Sequence, residues 1–412
     1  MNIFKFGGAS LKDAKQIRNV GQIIKSHADE NLLVVVSAMG KTTDALEQIT
    51  TLSLANKNIK KELDEIRHYH LLQTVELQMP EIQAELEKIC DQIEVAANQQ
   101  GDADLVYDQI VSQGEILSSL IISSYLNKEG ISATWVDARN YIKTDSTFRE
   151  GKILWDETEK LIRPLAKNSK KNIIVTQGFI GSDANNLTTT LGREGSDFSA
   201  AIFGFCLTAK AVTIWKDVPG VMTADPKRRL DSIVFEELPY KEAAEMTYYG
   251  ASVIHPKTIK PLANRGIPLY VKSFLDPSLS GTKIHECHVN KLPPLIVHKD
   301  NQCLISCKVT DYTFLDETQL GAIFKSLNEN NVRINVMQNS AISFSFCVDY
   351  RENKILRLIE SLSKNFEVYY NANLTLITIK NYDQKTSTEF RNQKGLILEQ
   401  SSRSTLQVLV KN

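Results

Sequence analysis

Lys5-Phe6-Gly7-Gly8-Ala9-Ser10 sets a cation, two glycines and a hydroxyl between a short apolar run and a helix-like one. Paired glycines let a backbone approach a ligand closely, and the first N–H groups of a following helix are open to an anion. A lysine just before them puts a point charge where phosphate oxygens would lie. The cradle is not of the Walker type, since the chain has no Gly-x-x-x-x-Gly-Lys-Ser/Thr. A second cluster is Thr188-Thr189-Thr190-Leu191-Gly192-Arg193-Glu194-Gly195-Ser196-Asp197. Its arginine can fork onto a carboxylate, and its last aspartate can orient lysines around a phosphate. A third, Trp215-Lys216-Asp217 through Met222 to Lys227, follows an apolar strand. Ligands of open α/β sheets bind just beyond such strand ends. Taken singly, each has a plain structural reading: a tight βα turn, a capped helix start, an Asp/Pro/Gly turn.

These segments need elements to hold them. Residues 3–6, 11–26 and 31–36 read strand, helix, strand, the last a continuous apolar run of the buried parallel kind. Residues 45–127 are mainly helical, interrupted at Pro80 and Gly101. Strands at 133–136, 172–177 and 211–215 then alternate with helices at 155–166 and 197–207. The pattern predicts an α/β layered domain with a mostly parallel sheet over residues 1–285. After the linker at 292–294 the order becomes β-α-β-β-α at 304–309, 318–330, 332–336, 341–348 and 354–365. A partial repeat follows, with strands at 374–379 and 406–410 around a charged polar connection. Residues 300–412 are therefore expected to form a small α+β region, one full unit and one shortened and interleaved.

The 412 residues carry 48 Lys and Arg against 49 Asp and Glu. That balance argues against nucleic acid as a partner. No apolar stretch is long enough to span a membrane and no signal pattern opens the chain, so membrane association is not expected. Six cysteines are scattered without a Cys-x-x-Cys pair, which fits a reducing cytoplasm and gives no metal set.

Together the three clusters resemble the aspartate kinases of the amino-acid-kinase superfamily. Ser37-Ala38-Met39-Gly40-Lys41-Thr42-Thr43-Asp44, Val111-Ser112-Gln113-Gly114-Glu115, Gln177-Gly178-Phe179-Ile180-Gly181 and Tyr249-Gly250-Ala251-Ser252-Val253-Ile254-His255-Pro256 are similar to further family segments, in the family's order. The resemblance implies a three-layer amino-acid-kinase fold with C-terminal ACT-like units. It also implies transfer of a phosphoryl group from ATP, with Mg²⁺, to the side-chain carboxylate of L-aspartate. On that reading Lys5 and Asp197 are catalytic. Thr43, Glu115, Phe179, Arg193 and Ser196 take the amino acid. Lys5, Gly7, Gly8, Ser10, Lys216, Asp217, Met222 and Lys227 take the nucleotide, and no residue is assigned as a metal ligand. The expected partners are L-aspartate, ATP, an amino-acid effector at the ACT-like units and a second copy of the chain. A kinase for another acidic amino acid and a regulator with an impaired kinase domain are the alternatives.

Three departures from the family pattern matter in the kinase segments. Glu194 stands where glycine is frequent, and is expected to point to solvent. Lys216 replaces a frequent threonine. Ser252 stands where many relatives carry a second phosphate-binding lysine, leaving Lys216, Lys227 and Lys257 as candidates, each read first as a surface charge. His255 is read as structural, at a helix start. Asn335 stands where lysine-sensitive relatives carry an acid.

Overall fold

The computed structural model describes residues 1–99, 101–167, 172–250, 254–289, 291–310 and 313–411. The chain divides into two compact units. In the first, β1 (Asn2–Phe6), β2 (Leu32–Val36), β3 (Ala133–Val136), β4 (Ile173–Gln177), β7 (Ala211–Lys216), β8 (Glu237–Pro239), β9 (Leu269–Ser273) and β10 (Thr282–His285) form one sheet. The strand order is β3-β4-β2-β1-β7-β9-β10-β8. All neighbours are parallel except β9 and β10. A separate hairpin pairs β5 (Ile180–Ser182) with β6 (Thr188–Thr190).

Every residue of β2 is buried, as the unbroken Leu-Leu-Val-Val-Val run requires of a strand covered on both faces. The helix Ala14–Lys25 buries Ile17, Val20 and Ile24 at helical spacing, and Asp13 caps it by accepting from the Gln16 N–H. Register aligns Phe6 with Val36 on one side and Trp215 on the other. The carboxyl ends of the three central strands therefore lie level, and the loops after them share one edge. The helix Gln113–Lys128 is buried along most of its length and carries Glu115 inward with it. Gly114 makes that possible, since a Cβ there would come within 3.0 Å of Ala38 Cβ and 3.1 Å of Leu46 Cδ1.

The second unit is a six-stranded antiparallel sheet. Its strands are β11 (Leu295–Lys308), β12 (Ile334–Asn339), β13 (Ser343–Asp349), β14 (Glu367–Lys380), β15 (Leu396–Ser401) and β16 (Thr405–Lys411). Their order is β12-β13-β11-β14-β16-β15. The helices Glu317–Glu329 and Glu352–Leu362 bury Ile323, Leu327, Ile355 and Leu358 with Phe344 and Phe346. The shorter set has the single helix Gln384–Arg391, whose Phe390 packs with Ile377, Ile379 and Leu406.

Both long strands serve both sets, with a register irregularity between Lys299 and Gln302. The expected linker ends as strand, because Leu295, Ile296 and Val297 pair with the end of β14. The polar connection holds a helix and β15. Met222–Ile233 and residues 248–250 also group with this unit, crossing the sequential boundary expected between 285 and 300. Ile296 donates to Thr223 O at 2.7 Å, and Arg229 pairs with Glu389 at 2.6 Å.

Candidate active site

A cavity of about 920 Å³ opens in the first unit, lined from β1, β7, the loops around them and the helices Thr42–Leu54, Ala103–Val111 and Gln113–Lys128. Lys5, Thr43, Glu115, Phe179, Arg193, Ser196, Asp197 and Lys216, eight of the residues expected from sequence, share it. Lys5 Nζ lies 2.6 Å from Asp197 Oδ1, with only 10% and 3% of the two side chains exposed. Asp197 sits in the first turn of the helix Gly195–Leu207, where a negative charge is favoured. Its other oxygen is 3.4 Å from Lys216 Nζ. Burial alone would push the Asp197 carboxyl up, but the two ammonium groups hold it below the usual carboxylate range. One carboxylate thus positions two cations, one from the end of β1 and one from the end of β7.

Glu115 is 3% exposed. Its Oε1 accepts from the Ala38 N–H at 3.3 Å, and its Oε2 is buried with no hydrogen-bond partner. Burial pushes this carboxyl up to about 8, against smaller opposing effects from the Ala38 N–H and Lys5. A cationic group arriving at Oε2 would supply the missing partner. Phe179 follows β4 with φ 69°, a left-handed backbone conformation that is unfavourable for a side chain this size. It is held there by its N–H to Ser199 Oγ at 2.9 Å and its carbonyl to Leu191 N at 2.8 Å. Arg193 stands exposed on the cavity wall, free to fork onto an anion.

Two expectations are corrected. Glu194 does not face solvent: it lines the cavity with Oε2 buried and without a hydrogen-bond partner. Its backbone is left-handed at φ 56°, and Lys216 and Lys5 attract its carboxylate inward. Burial raises that carboxyl, with Lys216 the first opposing charge. Lys216 is likewise more than a surface charge, being 21% exposed and paired with Asp197.

Ser10 is fully buried and its hydroxyl donates to Gly7 O at 2.6 Å, so it shapes the turn. A Cβ on Gly7 would stand 3.4 Å from Lys5 Nζ, and one on Gly8 only 2.7 Å from Ala38 O. Asp217 is not among the lining residues. Met222 and Lys227 belong to the second unit. Ser252 lies outside the described residues. His255 caps the helix Pro256–Asn264 by accepting from the Lys257 N–H at 3.2 Å.

Sequence reading missed Glu47, Asp104, Tyr107 and Arg149, which also line the cavity. Only Asp104 carried a signal, as an acid in the first turn of the helix Ala103–Val111 that precedes Glu115. Among the described residues, one group has metal-ligand spacing, Glu237, His285 and Cys287. It does not line this cavity, and Glu237 is exposed and already paired with His285 at 3.2 Å and Lys283 at 4.0 Å. No described helix is long and apolar enough to cross a membrane.

The family profile described as amino acid kinase matches residues 1–273. Lysine-sensitive aspartokinase 3 of Escherichia coli (strain K12) is 32% identical over 354 residues, 84% of this chain and 78% of its own. The bifunctional aspartokinase/homoserine dehydrogenase of carrot (Daucus carota) is 30% identical over 392 residues, 89% of this chain. This chain spans only 42% of that longer protein. The crystal structure of E. coli aspartokinase III with aspartate and ADP superposes with a TM-score of 0.83 at 27% identity, over 100% of this chain and 96% of that one.

Proposed function

The chain belongs to the amino acid kinase family and within it to the aspartokinases, and we propose that it phosphorylates the side-chain carboxylate of L-aspartate with ATP. The observation that carries this reading is the Lys5–Asp197–Lys216 triad sharing one cavity with Glu115 and Arg193. An aspartate side-chain oxygen attacks the γ-phosphorus, and the bond from that phosphorus to the bridging oxygen of ADP breaks. The products are 4-phospho-L-aspartate and ADP. The nucleophile is already an anion, so no general base is needed, and catalysis reduces to positioning and charge neutralisation. Lys5 holds the transferred phosphoryl group, and Asp197 fixes Lys5. Lys216 serves as the second cation. Glu115 accepts from the substrate ammonium, Arg193 clamps its α-carboxylate, and Thr43, Phe179 and Ser196 close that end. Gly7, Gly8 and Ser10 shape the phosphate loop, while Asp217 is assigned to the nucleotide. An ADP-release assay with L-aspartate and L-glutamate tests the reading: aspartate-dependent turnover supports it, and turnover on glutamate alone overturns it.

The cavity wall carries six carboxylic side chains, Glu47, Asp104, Glu115, Glu150, Glu194 and Asp197, against four cations, Lys5, Arg149, Arg193 and Lys216. A polyphosphate entering that field needs a counter-cation, which supports Mg²⁺ as the companion of ATP. Glu194, with its buried unpartnered oxygen, and Asp197 are the carboxylates that would face it. When bound, the ion neutralises charge on the phosphate oxygens.

Glu115 gives this reading a pH signature. Its folded-state value of about 8 leaves it largely neutral at lower pH, whereas a bound ammonium group requires the ionised form. Aspartate binding should therefore release close to one proton below pH 8. Its Kd should tighten as pH rises, approaching about tenfold per unit well below the carboxyl's value. Calorimetry in buffers of different ionisation heat measures both, and a Kd flat between pH 6 and 8 would contradict this role.

We also assign residues 300–412 to ACT-like units that bear an amino-acid effector site, in a cytoplasmic homodimer or larger assembly. The edge strands β12 and β15 of the six-stranded sheet support pairing with a second copy, and the name of the E. coli relative supports lysine as the first effector to test. Light scattering at micromolar concentration should give at least a dimer; a monomer would refute the assembly.

A further inference from the structure

Asp108 is completely buried, and its carboxylate accepts three hydrogen bonds from two other segments. Thr190 donates from its N–H at 2.8 Å and its hydroxyl at 2.7 Å, and Arg149 donates from its N–H at 2.9 Å. A fourth hydrogen bond runs from Gly151 N to Thr190 O at 2.8 Å. The loop carrying Arg149 is thus locked to β6, three residues before Arg193. A Cβ on Gly192 would lie 3.2 Å from Arg149 O, so the Arg149 backbone abuts the residue next to Arg193.

Arg149 itself is left-handed, at φ 66°. Such a conformation favours glycine, and a side chain persists there only where its surroundings enforce it. Its guanidinium lies over the Tyr107 ring, 3.9 Å from the centroid, and 3.3 Å from Asp104, on the cavity wall. Tyr107 in turn donates to Glu47 at 2.6 Å, one helical turn from Thr43 on the same face. These neighbours line the same cavity as Thr43 and Arg193. Arg149, Phe179 and Glu194 are three left-handed non-glycine residues on one wall.

We propose that Arg149 is a specificity-determining residue, a second guanidinium for the doubly carboxylated amino acid, held at the cavity mouth by Asp108. The proposal rests on the aspartate kinase reading. Arg193 meets the α-carboxylate. Arg149 offsets the acidic wall along the path of an anionic substrate, so it acts on capture more than on the phosphoryl step. A half-exposed charge already paired with Asp104 has a modest effect.

Arg149→Gly separates this role from a structural one, because glycine relieves the left-handed backbone. The expected result is a Tm equal to or above wild type and a KM for aspartate raised about two- to fivefold. The kcat should stay within about twofold and the KM for ATP should not change. The wild-type KM for aspartate should rise with salt more steeply than that of the variant. Arg149→Lys, which keeps the charge, should recover part of the KM. Asp108→Asn should raise the same KM with Arg149 intact, and if it does not fold, the Arg149 variants still decide. An Arg149→Gly protein with wild-type KM and a lowered Tm would make Arg149 a staple between Tyr107 and Asp104, and overturn the proposal. A wild-type enzyme without aspartate-dependent ADP release would instead remove the kinase reading, and this proposal with it.

Discussion

Lys5→Ala should turn over aspartate about 10²–10³ times more slowly than wild type, the scale for losing one preorganised charge stabiliser. The fold should survive, because the ammonium is not expected to support the core. The loss still has a stability cost: Lys5 is 8% exposed and lies against a carboxylate that is 3% exposed. Removing one partner of a buried pair costs about 3–5 kcal/mol when nothing replaces it. Here Lys216 remains 3.4 Å from the other oxygen, so the cost should fall below that range. Lys5→Ala combined with Asp197→Asn removes the under-compensated buried carboxylate, leaves Lys216 partly exposed without its partner, and should recover part of the stability without recovering rate. Thermal melts and steady-state rates on both variants separate the two effects. Near-wild-type turnover in either would remove Lys5 from the phosphate site.

The contrast between Lys5 and Arg149 explains what was legible in the sequence. Lys5, Gly7 and Gly8 are contiguous, and their meaning depends on a strand, a turn and a helix start within a dozen residues. The same holds for Arg193, Ser196 and Asp197. The parallel sheet was legible for a related reason, since β2 and β7 are apolar runs that only a doubly covered strand can bury. Arg149 is placed by a hydrogen bond spanning 41 positions, and Asp108 reaches Thr190 across 82. No local pattern encodes either. Glu194 was misread because its direction is set by Lys5 and Lys216, cations at the ends of two different strands. In the second unit, Pro293 and Pro294 read as linker and masked the start of β11, whose pairing partner lies some 80 residues later in β14.

Substrate capture should fail separately from the chemistry. Glu115→Ala is expected to weaken aspartate binding by about 2–5 kcal/mol, the cost of breaking a charge-assisted pair in a desolvated site, and Arg193→Ala by less, because Arg193 is exposed to solvent. Nucleotide binding should stay nearly intact in both, because the phosphate cations are held by Asp197 and not by either residue. Glu115→Gln is the sharper variant. It keeps the volume and an acceptor oxygen for the Ala38 N–H but removes the group that titrates near 8. Affinity for aspartate should fall, and the proton release and pH dependence of binding should disappear with it. Arg193→Ala should lower affinity while leaving the pH dependence in place, since Glu115 remains. Calorimetry with aspartate and with ATP on all three proteins resolves the assignment. Loss of ATP binding with aspartate binding retained would reverse the two ends of the cavity. A Glu115→Gln protein that still releases a proton on binding aspartate would place the titrating group elsewhere.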